Sequence, residues 1–297
     1  MFYENWMSYI KDEAKITKIA IPGSHNAGTR GMVSLARCQN GTLPEQYRYG
    51  VRKFGIRIKA GRGGKLYIAH GLAKGITAEE AFRELGSIVD SYDDFMILDI
   101  RTYPGQGIGP FRFEYDSDPA AVDELIAKYL KPEKYALTDF DDIREVTLGD
   151  IRRTGKKYII LSAKKEYKYS CDCRLLEPWD PKIFGSKPEI FAKECVNYLR
   201  KLDSDGFFWL QTQQTPNFGT DVGLSTPKKL DELDRPLFPQ IMAEIAAEPA
   251  LVEKLNIVAG DFMTRDHMKE NEILYFNLLK GIVKDEKAAE YAAAIGK

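Results

Sequence analysis

The feature that most constrains the fold of this chain is a series of short, almost continuously apolar runs separated by longer stretches with helical periodicity. The runs are Ile16–Pro22, Phe54–Ile58, Phe95–Arg101, Lys157–Ala163, Phe207–Gln211 and Asn256–Phe262. A strand buried on both faces reads as a continuous apolar run, the pattern of a parallel sheet covered by helices. The intervening segments carry helix signals. Thr77 with Glu80 forms a capping pattern ahead of a stretch to Asp90, with Ala81, Leu85 and Ile88 on one stripe. Asp118 is an N-cap candidate with Pro119 at the first helical position of a stretch ending at Leu130. Pro188–Leu202, Pro227–Ala247, Asn271–Val283 and the alanine-rich 286–295 have similar periodicity. Strand–helix alternation over this length predicts an α/β protein: one domain, 1–297, folded as a single distorted (β/α) barrel, with a doubly wound open sheet as the rival.

Composition narrows the function classes. Lys and Arg number 43 against 44 Asp and Glu, a net charge of −1. That balance argues against nucleic acid held by a strong global field, although a local basic pocket is compatible with it. No run approaches the ~20 apolar residues that cross a bilayer, so a soluble chain is expected. The four cysteines (Cys38, Cys171, Cys173, Cys195) are too few and scattered for a disulfide framework. Cys171 and Cys173 form a C-x-C with no histidine nearby, which does not read as a zinc knuckle. No signal peptide is visible, which a secreted form with its signal removed would share with a cytoplasmic one.

In a barrel the chemistry collects where strands end. Two of the three histidines lie there in glycine-containing turns, His25 in IAIPGSHNAGT (19–29) and His70 in LYIAHG (66–71). An imidazole titrates near neutrality, so two in one pocket can divide the labour of base and acid. Either alone reads more simply as a hydrogen-bonded structural residue; the pair tips the balance towards function. His267, in RDHMKEN (265–271), reads as a solvated surface residue.

PGSHNAGT, CQNGTLPEQYRYGVRKFGIR (38–57), LYIAHG, TLGDIRRTGKKYIILS (147–162) and NIVAGDF (256–262) resemble bacterial phosphatidylinositol-specific phospholipases C, relatives of the X-domain of the eukaryotic enzymes. The likeness runs from Trp6 to Phe262 and weakens between about 165 and 255. Its most specific element is Gly50-Val51-Arg52 followed by Ile56-Arg57, with His70 thirteen residues beyond. The resemblance implies a distorted TIM barrel that cleaves the phosphodiester between inositol and diacylglycerol, giving inositol 1,2-cyclic phosphate. By position, His25 matches the family's general base, Asp261 the carboxylate that orients it, His70 the general acid and Arg57 the phosphate-binding arginine. Asn26, Arg101, Lys164, Gln211 and Gln213 are the substrate-binding candidates.

The eukaryotic members hold calcium through an Asn after the first histidine and acidic residues on the second strand. Here Asn26 remains, but the acidic positions correspond to Gly55 and Arg57. Calcium prefers six to eight oxygen ligands, so the expectation is no cofactor and no metal. The bacterial pattern prefers Asp at both Asn26 and Gly55. Asn26 cannot raise a neighbouring histidine's pKa by charge, and Gly55 is expected to leave room for a bulkier headgroup. The expected partner is phosphatidylinositol or a related inositol phospholipid, met at a membrane surface through transient contacts by a monomer, with no nucleic acid. Trp6, Trp179 and the 111–113 loop are candidate membrane contacts, each equally suited to a core. The alternatives are a catalytically weak inositol-phospholipid-binding domain, or a phosphodiesterase of other lipid or glycerophosphodiester specificity.

Overall fold

The computed structural model describes residues 1–102, 107–108, 111–112, 117–162, 166–171, 180–203, 205–217 and 219–297. Lys164, Cys173 and Trp179, singled out above, lie outside them, as does part of the 111–113 loop.

Eleven strands are described: β1 Ile21–Ser24, β2 Lys53–Ala60, β3 Leu66–His70, β4 Ala73–Thr77, β5 Met96–Thr102, β6 Gly107–Ile108, β7 Phe111–Arg112, β8 Tyr158–Leu161, β9 Ser170–Cys171, β10 Trp209–Gln211 and β11 Ile257–Gly260. The principal sheet runs β10-β11-β1-β2-β5-β8-β9, every neighbouring pair parallel. Among the described residues β9 and β10 do not pair, so this is a curled, incompletely closed barrel. The α/β barrel expectation holds.

Two apolar clusters show how the sequence is used. Met96, Leu98 and Ile100 of β5, Tyr158 and Ile160 of β8 and Val258 of β11 pack against helices. Their alternates Ile97, Ile159, Leu161, Ile257 and Ala259 belong to a second, inner cluster with Trp6, Ile10 and Tyr291. Successive side chains of a strand point to opposite faces, so continuous apolarity is what two buried faces require. Trp6, fully buried and donating to the Gly50 carbonyl at 2.9 Å, is part of this inner packing and no membrane contact.

Strand β2 breaks the apolar rule on one face. Phe54, Ile56, Ile58 and Ala60 join the helix-side cluster, which leaves Lys53, Gly55, Arg57 and Lys59 for the barrel interior. A barrel interior with that many cations at one edge suits an anion or buried ion pairs, and Lys53 forms such a pair with Asp99.

Helices begin where the sequence carries explicit caps. The helix Ala78–Ser91 follows Thr77, whose hydroxyl accepts from Glu80 N, and the helix Pro119–Leu130 follows Asp118, which accepts from Ala120 N. The stretch from Pro227 to Ala247 is not one helix: it breaks into 227–234, a 3-10 turn at Arg235–Leu237, and 238–246. Pro236 and Pro239 lack the N–H a continuous helix would use there.

Two strand expectations need correction. β1 starts at Ile21, five residues later than the apolar run, because 16–20 forms a turn beneath the barrel held by Asn256, which donates to the Ile16 and Ile19 carbonyls. His70 is not in a turn just past the second strand. It ends β3, which folds back antiparallel on β2 and continues into β4 as a hairpin. This insertion interrupts the strand–helix alternation and brings His70 to the mouth of the barrel.

Candidate active site

The C-terminal ends of β1 and β11 hold the first half of the site. His25 follows β1 and Asp261 follows β11, and the two strands pair in register from Ile21 with Ile257 to Ser24 with Gly260. That register sets His25 Nδ1 2.8 Å from Asp261 Oδ1, with both residues buried. Burial pushes the Asp261 carboxyl up to about 8, against the attraction of the Lys269 ammonium, while Asp231 adds to the rise.

The backbone of this corner is fixed by groups to which the sequence reading assigned no role. Gln39 donates from Nε2 to the carbonyls of His25 and Gly260, both at 2.9 Å, and accepts from Met263 N. Thr29 Oγ1 accepts from the amides of Cys38 and Gln39, tying the loop after β1 back on itself. Lys269 donates to the Asp261 carbonyl at 2.8 Å and pairs with Asp231 at 2.5 Å. The CQNGT stretch carried the only signal for Gln39; nothing local in the sequence marks Lys269 or Asp231.

The second half rises from β2 to β4. His70 stands with its ring centroid 6.0 Å from that of His25, the rings nearly perpendicular at 84°. They are too far apart to bond directly. They are close enough for each to reach a different oxygen of one phosphoryl group, given ~2.6–3.2 Å from ring nitrogen to oxygen. His70 Nδ1 lies 2.8 Å from the Ala36 carbonyl, so it carries a proton, and 3.6 Å from Cys38 Sγ. Burial chiefly, then the neighbouring His25, lowers the His70 pKa to about 4, with Arg57 adding to the drop. Burial raises the Cys38 thiol well above its ordinary range, and the Arg57 charge acts against that rise.

Asn26, in a left-handed conformation (φ 46°), donates from Nδ2 to Cys38 Sγ at 3.5 Å. Its Oδ1 is buried with no partner among the described residues. At Gly55 the structure corrects an expectation. A Cβ there would meet Lys53 Nζ, the Ser24 carbonyl and Trp209, each at 3.3 Å, so the position is filled and offers no room for a larger headgroup. The fully buried Lys53 pairs with Asp99 at 3.1 Å and lies over the Trp209 ring. Asp99 in turn receives Arg101, Nε to Oδ1 at 2.8 Å and Nη2 to Oδ2 at 3.0 Å. Register sets Arg57 beside Arg101 across β2 and β5. Gln213 donates to Gln211 Oε1 at 2.5 Å, and both are buried on the β10 side. His267 also departs from expectation. It is stacked between Tyr3 at 3.7 Å and Tyr49 at 4.5 Å and is not a freely solvated side chain.

Fold and site together define a class: a distorted parallel barrel whose mouth carries an imidazole bonded to a buried carboxyl group, a second imidazole facing it, and an arginine on the neighbouring strand β2. Sequence comparison points the same way. The chain is 31% identical over 135 residues to 1-phosphatidylinositol phosphodiesterases of Staphylococcus aureus strains Newman and NCTC 8325. The match to the Newman protein covers 42% of this chain and 40% of that one, so it spans less than half the length of this curated relative. No protein-family model matches the chain. In fold it resembles the phosphatidylinositol-specific phospholipase C of Listeria monocytogenes, with a TM-score of 0.61 at 16% identity over 93% of this chain and 98% of that one. An S. aureus phosphatidylinositol-specific phospholipase C, from work on modulating its membrane binding, superposes with a TM-score of 0.60 at 16% identity over 92% and 97%. The resemblance to bacterial phosphatidylinositol-specific phospholipases C therefore extends from motifs to the whole barrel.

Proposed function

We propose that this protein is a phosphatidylinositol-specific phospholipase C that cleaves its lipid by transfer of the phosphoryl group to the inositol 2-hydroxyl. The observation that carries the reading is the pair of imidazoles 6.0 Å apart, one of them held by Asp261. With its Nδ1 directed at Asp261, His25 presents Nε2 to take the proton of the 2-hydroxyl. That hydroxyl is adjacent to the 1-phosphate, so attack is intramolecular and needs no positioned water. The Asp261 carboxyl holds the tautomer, and the positive charge that forms on His25 lowers its raised pKa so that the carboxylate stabilises the imidazolium. Arg57 supplies a planar, permanently charged fork to the phosphoryl oxygens as negative charge grows there.

His70 is the proton donor to the departing diacylglycerol oxygen. In the empty pocket it is neutral at pH 7, which a general acid cannot be. A phosphodiester anion between it and Arg57 supplies the opposite charge that raises its pKa, so the acid is made by substrate binding. Arg101, anchored on Asp99, and the Gln211–Gln213 pair are positioned to meet the inositol hydroxyls. Contact with the membrane is brief and local; no helix among the described residues is long and apolar enough to cross one.

The test is incubation with phosphatidylinositol vesicles in EDTA, followed by phosphorus NMR. The reading predicts a cyclic phosphodiester signal that disappears in His25→Ala and His70→Ala. Direct appearance of inositol 1-phosphate with no cyclic ester, or undiminished turnover in either variant, would overturn it.

A further inference from the structure

A buried thiol sits among the groups assigned to chemistry, and the reaction does not use it. Cys38 is 1% exposed and is a free thiol. One ligand atom each from His25, Cys38 and Asp261 lies within 4.8 Å of the others. Cys38 Sγ is also 3.6 Å from His70 Nδ1 and 3.5 Å from Asn26 Nδ2. An apolar wall would have served the packing equally well. A sulfur, an imidazole and a carboxylate in one small volume make a set of donors.

We infer that His25, Cys38 and Asp261 form an inhibitory site for a thiophilic divalent cation of the zinc type, whose occupation removes the proposed base from the reaction. Ligand type favours this ion class. Thiolate with imidazole selects zinc, whereas calcium and magnesium require several oxygens. Three protein ligands plus one open position is an ordinary zinc arrangement.

Dimensions agree. With Zn–S ~2.3 Å and Zn–N ~2.0–2.1 Å, a tetrahedron separates sulfur from nitrogen by about 3.6 Å and nitrogen from carboxylate oxygen by about 3.3 Å. The cluster needs a contraction of about 1 Å at its widest edge, and the His25–Asp261 contact opens by about half an ångström as its proton leaves. His70 Nδ1 lies 3.6 Å from the sulfur of this set. Asn26 Oδ1, buried and unpartnered among the described residues, belongs to an amide already touching the thiol, and rotation of that amide offers an acceptor to a metal-bound water.

The proton balance is explicit. Binding converts the Cys38 thiol to thiolate and the Asp261 carboxyl, largely protonated at pH 7, to carboxylate, and releases both protons. The one proton left on the His25 imidazole sits on Nε2 if Nδ1 ligates, or on Nδ1 if Nε2 ligates. In both cases Nε2 can no longer accept from a substrate hydroxyl. No redox partner is required.

The experiment separates this inference from the reaction proposed above by first reading binding without lipid. Co²⁺, a spectroscopic stand-in for zinc, is titrated into the metal-free protein. The expected result is a one-to-one complex with a near-ultraviolet sulfur-to-cobalt charge-transfer band and tetrahedral visible bands, displaced by Zn²⁺. Cys38→Ser should abolish the charge-transfer band and weaken Zn²⁺ by ~100-fold or more, beyond the ~10–100-fold that loss of an outer partner costs. Asp261→Asn in the intact-thiol background should keep the band and weaken the metal, which guards against a folding artefact in the serine variant. On phosphatidylinositol vesicles, Zn²⁺ should inhibit the wild type reversibly with EDTA. A charge-transfer band that survives in Cys38→Ser, octahedral visible bands, or no binding below millimolar Co²⁺ would each overturn the inference, whether or not the protein cleaves lipid.

Discussion

The two walls of the site are built on opposite principles. The wall of β1 and β11 holds His25 and Asp261 by redundant fastening: a parallel register, Gln39 bridging two carbonyls, and Lys269 clamped between Asp231 and the Asp261 carbonyl. The wall of β2 to β4 holds His70 at the end of a hairpin, by one carbonyl and a thiol. The difference fits the work that the proposed mechanism asks of each. A base must hold one tautomer and accept from one direction, whereas an acid that becomes charged only with substrate present needs freedom to adjust.

The strongest way to break this comparison is at the fastened wall. Asp261→Asn should lower kcat by ~10³–10⁴, the scale on which a misdirected imidazole costs a hydrolase of the triad type. Steady-state turnover of phosphatidylinositol checks it, and His25→Ala combined with Asp261→Asn should cost little more than either alone, since the two act as a unit. Next in size is Arg57→Gln, expected to lower kcat by ~10²–10³ through loss of a fixed cation at the developing charge.

At the looser wall the informative change adds charge. Asn26→Asp preserves a residue type that tolerates the left-handed backbone and places a carboxylate near His70. Raising the pKa of an acid carries the limb where it deprotonates to higher pH, so the optimum of kcat/KM should move up by about one unit, with a gain at neutral pH of up to ~10-fold. An unchanged profile would show that His70 does not feel that position. In the unliganded protein, NMR should find His70 titrating near 4, well below an ordinary imidazole, because burial and His25 disfavour its charge.

The smallest catalytic effect is expected at Gln39→Leu. It strands the His25 carbonyl and the Met263 amide, while the Gly260 carbonyl keeps the His25 amide, costing ~1–3 kcal/mol for each group left without a partner, so denaturant stability should fall while kcat declines less than tenfold. A large loss of kcat with unchanged stability would mean that Gln39 acts on the reaction itself.

Much of this was legible in the chain because the relevant signals are local. Continuous apolar runs named six of the seven parallel strands and left out β9, Thr77 and Asp118 named their helices, and glycine-flanked histidines named the two walls. What escaped was long-range or returned on itself. The β3–β4 hairpin follows β2 without the helix that barrel alternation predicts, so His70 was read as a turn residue. Lys269, Asp231 and Gln39 act through backbone carbonyls and distant partners that no spacing reveals. Gly55 read as an empty position because a sequence cannot show that Lys53, two residues earlier on the same face, extends into the space a side chain there would occupy.

The account rests on one phosphoryl group being held by both imidazoles and Arg57 together. Its most direct measurement is a titration of protein with nitrogen-15-labelled histidines by myo-inositol 1-phosphate. The ring nitrogens of His25 and His70 should shift along a single saturation curve, with His70 gaining its proton at neutral pH and Arg57→Gln weakening both responses equally. Movement of one ring alone, or a His70 that stays neutral at saturation, would contradict the shared-phosphate site.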